Sequence, residues 1–185
     1  GYRPSEDLQF ERTLAQELER IAVHTGDLSA LCTDVAFQLG TSVFGRLRTP
    51  LINYFQVWCG NRFAKSLIRA GGSHFPFGNA LAAQLIRMLD EFEPDFEEMC
   101  RKTFSMPTVL ARFEKTGVLA REQGVEIGTV GLAARMSGIS RDIRASHPYG
   151  LYEGMAHEPV VKHHGDVYSR AQIRREEVIQ SIGYM

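Results

Sequence analysis

The chain has 185 residues, of which 44% are hydrophobic and 23% charged, and its 21 Lys+Arg and 22 Asp+Glu leave a net charge of −1. These values suit one globular domain or a large part of a bigger protein, and they argue against disorder, a nucleic-acid footprint and an apolar membrane span. The three cysteines, Cys32, Cys59 and Cys100, are widely spaced and odd in number, which favours a reducing, cytoplasmic location over a disulfide framework.

The first predicted element is a long helix over about residues 5–40. Ser5 is a suitable N-cap, and an apolar face recurs at three- and four-residue spacing in Leu14, Leu18, Ile21, Leu28, Leu31 and Val35. A polar strip with the same spacing lies beside that face and comprises Glu17, Arg20, His24, Asp27 and Asp34. We expect this helix to be the centre of a bundle.

Further helices are predicted after Gly40 and Gly45, with Pro50 in the first turn, and from Asn79, with a kink or restart at Pro94. A short helix follows Pro107, a hairpin is expected near Val160 to Tyr168, and a helix spans residues 171–182. The predicted fold is mainly α: a helical bundle over about 1–117, and a small irregular α+β portion with loop, hairpin and helix over about 118–185.

The sequence begins at Gly1 without an initiator Met and ends shortly after the last predicted helix. We interpret it as one internal fragment of a longer polypeptide. Truncation is expected to leave apolar surface exposed, so the fragment alone is a possible homodimer.

No self-contained catalytic motif occurs in the sequence, so candidate sites rest on spacing. His24 and Asp34 are ten residues apart on one helix, about 15 Å at roughly 1.5 Å per residue, and cannot touch. Their strip is either a solvated face or a half-buried polar network that tunes a histidine, and spacing alone favours the solvated face.

Two further groups of polar residues stand out. Arg135, Asp142, Arg144 and His147 form either a clamp for a carboxylate or an internal salt-bridge set, and the sequence does not separate these alternatives. A second group, His157, His163 and His164, suggests metal ligands, but it lacks a nearby cysteine and the spacing of a helical zinc site. Surface histidines are therefore the favoured interpretation.

Almost the whole chain resembles one family, which unites the large subunits of nickel–iron hydrogenases with the quinone-pocket subunit of respiratory complex I. The matching residues occur in the family's order: Glu19-Arg20-Ile21-Ala22, His24, Asp34, Gly60-Asn61-Arg62-Phe63, Val130 to Arg135, Asp142, Arg144, His147-Pro148-Tyr149, Gly165 to Arg170, Arg174 and Glu176-Glu177. The run from Glu19 to Leu28 is most similar to energy-converting hydrogenases of the formate-hydrogenlyase type.

The resemblance implies that this chain is a helical scaffold in the catalytic subunit of a membrane-associated hydrogenase-like oxidoreductase. The parent would couple iron–sulfur electron transfer to proton reduction or hydrogen oxidation. The alternatives are a quinone-reducing NADH dehydrogenase subunit and a non-enzymatic paralogue that acts in assembly. The implied partners are an iron–sulfur small subunit and membrane-arm subunits, which would hold the protein at the membrane periphery.

The family's nickel–iron centre is held by two C-x-x-C pairs that this sequence lacks. We therefore expect no complete catalytic site, no cofactor and no metal in the fragment, and a nickel–iron centre or a quinone substrate for the parent. The resemblance to the complex I branch implies that Asp34 is the carboxylate partner of a quinone-site histidine that lies upstream of this sequence. His24 and Asp34 are thus candidates for an internal polar network, and Arg135, Asp142, Arg144 and His147 for a site rim or partner interface.

Overall fold

The computed structural model describes residues 4–185, and the long elements are all helices: α1 (Glu6–Asp34), α2 (Gln38–Cys59) and α3 (Asn79–Ser105). Short helices then lead to a last long one: α4 (Pro107–Phe113), α5 (Arg121–Glu126), α6 (Gly131–Met136), α7 (Ile143–Ser146), a 3₁₀ turn (Gly150–Gly154) and α8 (Val167–Gly183). Within the described range, β-type pairing is limited to an isolated bridge between Arg69 and Gly72. The expected mainly α fold is confirmed.

The helix α1 begins where predicted but ends earlier. Ser5 caps its start by accepting a hydrogen bond from the Leu8 backbone N at 3.3 Å. The helix stops at Asp34 because Ala36 adopts a left-handed backbone conformation with φ +59°. The predicted break at Gly40 is wrong: this glycine instead allows α2 to approach α1, since a Cβ there would lie 2.5 Å from Cys32 Sγ.

The hydrophobic core lies between α1, α2, α3 and α8. The predicted start of α2 near Pro50 is wrong, because α2 runs through that residue, and α3 likewise continues through Pro94 without a restart. The two helices meet through an edge-to-face contact of Phe44 and Phe96, whose ring centroids are 5.9 Å apart. Apolar burial and aromatic packing therefore outweigh the hydrogen bond that each proline removes.

The hairpin predicted over 160–168 was wrong, since no strand forms at these described residues. Their backbone groups are paired with another loop: Lys162 N donates to Arg135 O and Gly165 N to Met136 O, both at 2.9 Å. The remainder of the segment starts α8. The short apolar runs in this segment therefore predicted strands that do not form. The backbone groups between them bind the α6 region and not each other.

The helix α8 packs against α1, with smaller contacts to α3 and α6. The C-terminal portion of the chain therefore contributes a helix to the bundle, and the predicted boundary near residue 117 stays a prediction. Among the helices described, none combines the length and the apolar character that crossing a membrane requires.

Asp166 caps α8 and also holds the loop that follows α4. Its carboxylate accepts hydrogen bonds from the backbone N atoms of Ser169 at 2.8 Å and Lys115 at 2.9 Å. We expect Asp166→Ala to lower the free energy of unfolding at pH 7 by about 1–2 kcal/mol in urea denaturation. Ser5→Ala is the matched control, and it should cost less because it removes a single cap bond.

The effect of Asp166→Ala should depend on pH. Burial opposes ionisation of this carboxyl, but the hydrogen bonds from Ser169 and Lys115 outweigh burial and lower its pKa. Such a carboxyl stabilises the fold fully above its unfolded-state pKa, and this stabilisation is lost as the pH falls through the lower folded-state pKa. The deficit of the variant should therefore shrink below about pH 4, and equal deficits at pH 7 and in strong acid would contradict this.

Candidate functional site: a buried ionic cluster

A group of charged side chains is buried where α1, α6, α7 and α8 meet. Three carboxylates form its centre: Glu17 is 2% exposed, Asp142 7% and Glu177 1%. We call these three and the side chains around them the ionic cluster, whose other members are Arg20, His24, Arg135, Arg144, Tyr152, His157, Ser181 and Tyr184. Burying so many charges is costly unless each is paired, so the pairing determines what the cluster can do.

Glu17 joins three parts of the chain. Its carboxylate accepts hydrogen bonds from Arg144 Nη1 at 3.1 Å, from Ser181 Oγ at 2.6 Å and from the Tyr152 hydroxyl. Burial, together with the hydrogen bond to this carboxylate and its charge, raises the pKa of Tyr152. Tyr152 therefore stays protonated at physiological pH and acts as a donor to Glu17.

Glu177 connects α8 to α1 and α6. One carboxylate oxygen accepts a hydrogen bond from Arg135 Nη2 at 2.5 Å, and the other lies 2.6 Å from His24 Nε2. Burial would raise the pKa of Glu177, but the hydrogen bond from His24 and the charges of Arg135 and Arg20 outweigh burial, so its pKa is lowered. In this pair, an ionised Glu177 carboxylate therefore faces the imidazole ring of His24.

Asp142 binds Arg144 and a second histidine. It accepts hydrogen bonds from Arg144 Nε at 3.0 Å and Nη2 at 2.6 Å, a paired geometry that suits guanidinium and carboxylate. His157 Nε2 lies 3.1 Å from the same carboxylate, and its Nδ1 lies 2.7 Å from the Tyr184 hydroxyl. A hydrogen-bonded path therefore runs from Asp142 through His157 to Tyr184, close to the end of α8.

An open cavity of about 460 Å³ lies against the cluster between α1 and α7. Arg20, His24 and Arg135 are among the polar residues that line it, and Val23, Leu132 and Ile143 are its apolar residues. The lining also includes Glu19, which lies outside the ionic cluster. The cavity brings titratable groups, fixed charge and apolar surface to one place, which is typical of small-molecule sites.

The structure separates His24 from Asp34. His24 belongs to the half-buried polar network and pairs with Glu177, whereas Asp34 is exposed at the last residue of α1. The spacing favours a solvated face for this strip. That prediction is wrong for the N-terminal half of the strip, because Glu17 is buried and His24 contacts the buried Glu177. Any role of Asp34 stays a prediction.

Of the second predicted group, the structure brings Arg135, Asp142 and Arg144 together in the ionic cluster as an internal salt-bridge set. It does not bring His147 to them. His147 is exposed at the end of α7, where its Nδ1 lies 3.0 Å from Ser146 Oγ.

His157 was predicted to lie on the surface, and that prediction was wrong. Its side chain is 1% exposed, while His163 and His164 are exposed as expected. Its partners Asp142 and Tyr184 are 15 and 27 residues away, so no local spacing marks it. Burial of His157 follows from the position of α8, which the sequence pattern does not specify.

The cysteines do not fit a nickel–iron centre. In the described chain, no group of three or more His, Cys, Asp and Glu side chains could hold a metal ion. Burial raises the pKa of Cys32 to about 11 and that of Cys100 further, so both remain thiols and not the thiolates that bind nickel.

The pairing of Glu177 predicts a pH-dependent stability. Glu177→Gln removes the charge opposite Arg135 and His24 and should lower the free energy of unfolding by about 2–3 kcal/mol at pH 7. Because the folded-state pKa of Glu177 is lowered, its stabilisation is complete above the unfolded-state pKa and is lost as the pH falls through the folded-state value. Urea denaturation between pH 3 and pH 7 should show the deficit shrinking in acid.

Glu176→Gln is the matched control for this measurement. Glu176 is 37% exposed and pairs with Lys162 at the surface, so its replacement should change the free energy of unfolding by less than about 0.5 kcal/mol. Equal effects of the two substitutions would show that the buried pairs around Glu177 contribute nothing.

Comparison with known proteins gives consistent matches. Residues 34–185 match the family described as respiratory-chain NADH dehydrogenase, 49 Kd subunit. The chain is 29% identical to the C/D-type NADH-quinone oxidoreductase subunit of Phocaeicola vulgatus, covering 98% of this chain and 35% of that protein. It is 30% identical to the carbon monoxide-induced hydrogenase of Rhodospirillum rubrum, covering 95% of this chain and 49% of that protein.

A solved structure shares the fold. A chain of the membrane-bound sulfane sulfur reductase, an archaeal respiratory membrane complex, superposes with a TM-score of 0.90 at 23% identity and covers 99% of this chain and 49% of its own length. The chain thus spans between about a third and a half of the relatives that it matches.

Proposed function

The chain belongs to the 49 kDa subunit family of the respiratory-chain NADH dehydrogenase, and we propose that it forms the helical core of the large subunit of a quinone-reducing complex. The observation that carries this proposal is the family match over residues 34–185, which includes α2, α3 and α8. Relatives named as D-type and C/D-type subunits of NADH-quinone oxidoreductases support quinone as the substrate of the parent.

The ionic cluster fits the role of a rigid core in such a subunit. Reduction of a quinone to a quinol takes up two electrons and two protons, so the subunit must hold its titratable groups in fixed positions near the reaction. In the proposed parent, the electrons come from an iron–sulfur partner subunit, and membrane-arm subunits hold the protein at the membrane. The pair Arg144–Glu17 then ties α1 to α7, and the pair Arg135–Glu177 ties α6 to α8.

Asp34 is the candidate contact with the quinone site. It lies at the exposed C-terminal end of α1, whose middle is anchored by the ionic cluster. We propose that its carboxylate faces a quinone-site histidine supplied by another part of the parent. In the parent complex, Asp34→Asn should lower NADH-driven quinone reduction at least about tenfold, while electron transfer from NADH to ferricyanide persists. Asp7→Asn, at the other end of α1, should leave both activities unchanged.

A hydrogenase of the formate-hydrogenlyase type is the second candidate, because the carbon monoxide-induced hydrogenase of Rhodospirillum rubrum is among the relatives. The complete parent complex distinguishes the candidates. Quinone-linked NADH oxidation without stoichiometric nickel would support the first proposal. Hydrogen evolution from reduced viologen with one nickel per large subunit would overturn it in favour of a hydrogenase, and absence of both activities would favour a non-enzymatic paralogue.

A further inference from the structure

Hydrogen-bond donors and acceptors are not balanced in the ionic cluster. Each carboxylate oxygen of Glu17, Asp142 and Glu177 accepts at least one hydrogen bond. By contrast, three cluster nitrogen atoms are enclosed without a hydrogen-bond partner among residues 4–185, namely Arg20 Nη1, His24 Nδ1 and Arg135 Nε. Buried polar atoms rarely lack partners, and the two arginine nitrogens can only donate, so the imbalance indicates that an acceptor group is missing beside Arg20 and Arg135.

The three residues that carry these atoms line the same cavity of about 460 Å³. Arg135 is 7% exposed, and two of its nitrogens are already bound, Nη2 to Glu177 and Nη1 to the Arg141 carbonyl. Arg20 is the least committed: its Nε is 3.8 Å from Glu17 Oε2 and its Nη1 is 4.0 Å from Glu177 Oε2, both beyond hydrogen-bonding distance. Its planar guanidinium is therefore available to a ligand, and such a group prefers a carboxylate.

Part of the cavity lining is apolar. Val23 is 46% exposed and Ile143 61%, and Leu132 lies beside them at the cavity wall. A volume of this size is within the range of roughly 300–1,000 Å³ that is usual for small-molecule sites. We propose that the cavity binds a small carboxylic acid, with the carboxylate on Arg20 and the apolar body against Val23, Leu132 and Ile143. This proposal rests on the cluster and not on the activity of the parent.

The charge balance of the cluster favours proton uptake on binding. Arg20, Arg135 and Arg144 balance the three carboxylates, so a proton on His24 gives an excess positive charge that a bound carboxylate would neutralise. With Nε2–H directed to Glu177, the neutral His24 ring has an acceptor at Nδ1, and protonation converts that atom to a donor.

His24 has charged neighbours on each element around it. These are Glu177 on α8, Arg135 on α6 and, on its own helix, Arg20 and Asp27, of which Asp27 is paired with Arg174. Glu177 is already ionised and favours the protonated ring, whereas both arginines oppose it. A bound carboxylate offsets the arginines and would therefore favour a proton on His24.

The probe for this site is benzoate, with benzamide as its neutral analogue. Calorimetric titration of the purified 185-residue chain should show one saturable site for benzoate and at least about tenfold weaker binding of benzamide. The apparent binding enthalpy at pH 7 should differ between buffers of different ionisation enthalpy, which reports proton uptake. No saturable binding, or equal binding of the two compounds, would overturn the proposal.

Variants then locate the site. Arg20→Gln should weaken benzoate binding at least about tenfold, whereas Arg46→Gln, which removes an arginine that is 63% exposed and paired with Asp95, should not change it. Val23→Trp should block the cavity from an exposed position, so it tests the site even if Arg20→Gln fails to fold. Wild-type affinity in Val23→Trp would assign benzoate to a different place and reject this cavity.

Discussion

Glu17→Ala is expected to lower the free energy of unfolding by about 3–5 kcal/mol, one of the largest single-residue effects in this protein. The substitution leaves Arg144 with an enclosed charge that has lost a partner, and it removes the acceptor for the hydroxyls of Tyr152 and Ser181. Breaking one side of a buried ion pair costs more than the pair contributes, because the remaining charge stays away from water. Urea or thermal unfolding monitored by circular dichroism measures this loss.

Glu19→Ala is the control for that experiment, since Glu19 is exposed two residues further along the same helix. It should change the free energy of unfolding by no more than about 0.5 kcal/mol. A loss below about 1 kcal/mol for Glu17→Ala would mean that water reaches Arg144.

Gly165→Ala is expected to produce the second large loss, at least about 3 kcal/mol. Gly165 has a φ of +68°, and a Cβ there would lie 2.2 Å from the carbonyl oxygen of Leu119. A left-handed alanine costs about 1–2 kcal/mol, and the collision with backbone atoms adds to that cost because the backbone cannot rotate away like a side chain. The hydrogen bond from Leu119 N to Gly165 O, 3.0 Å long, would also be broken.

Gly128→Ala separates the two contributions. Gly128 has a similar φ of +70°, but a Cβ there would have no neighbour within 4 Å in the described structure. Its replacement should therefore cost only the backbone term of about 1–2 kcal/mol. If both variants lose the same stability, the approach of Gly165 to Leu119 is looser than the structure indicates. Hydrogen exchange of the Leu119 amide provides a local measurement of the same contact.

The sequence predicts the long helices of this fold better than their ends. The apolar periodicity of α1 corresponds to a long buried stripe, and Ser5 is a cap in both prediction and structure. The end of α1 was not predicted correctly because it depends on the positive φ of Ala36. Alanine favours helices and rarely adopts a positive φ, so the sequence gives no signal for a helix end there. Continuity through Pro50 was missed because tertiary packing decides whether a helix tolerates a proline.

The candidate site was predictable only in parts. Glu17, Arg20 and His24 follow helical spacing, so their shared strip is visible in the sequence. The residues that pair with this strip are not visible in the sequence, because Glu177, for example, lies 153 residues after His24. His157 was missed for the same reason. Pairing between distant segments is determined by how α8 packs on α1, and no local pattern encodes it.

The length of chain between the partners of Glu17 also affects how the protein is made. Arg144 and Ser181 are 127 and 164 residues further along, so during synthesis at about 5–20 residues per second Glu17 emerges from the ribosome many seconds before its partners. Until α8 appears, α1 carries a carboxylate on the side that α8 later covers. The hydrogen bond between Ser181 and Glu17 can therefore form only after α8 has been translated, long after α1 and α2 are available to pack on each other.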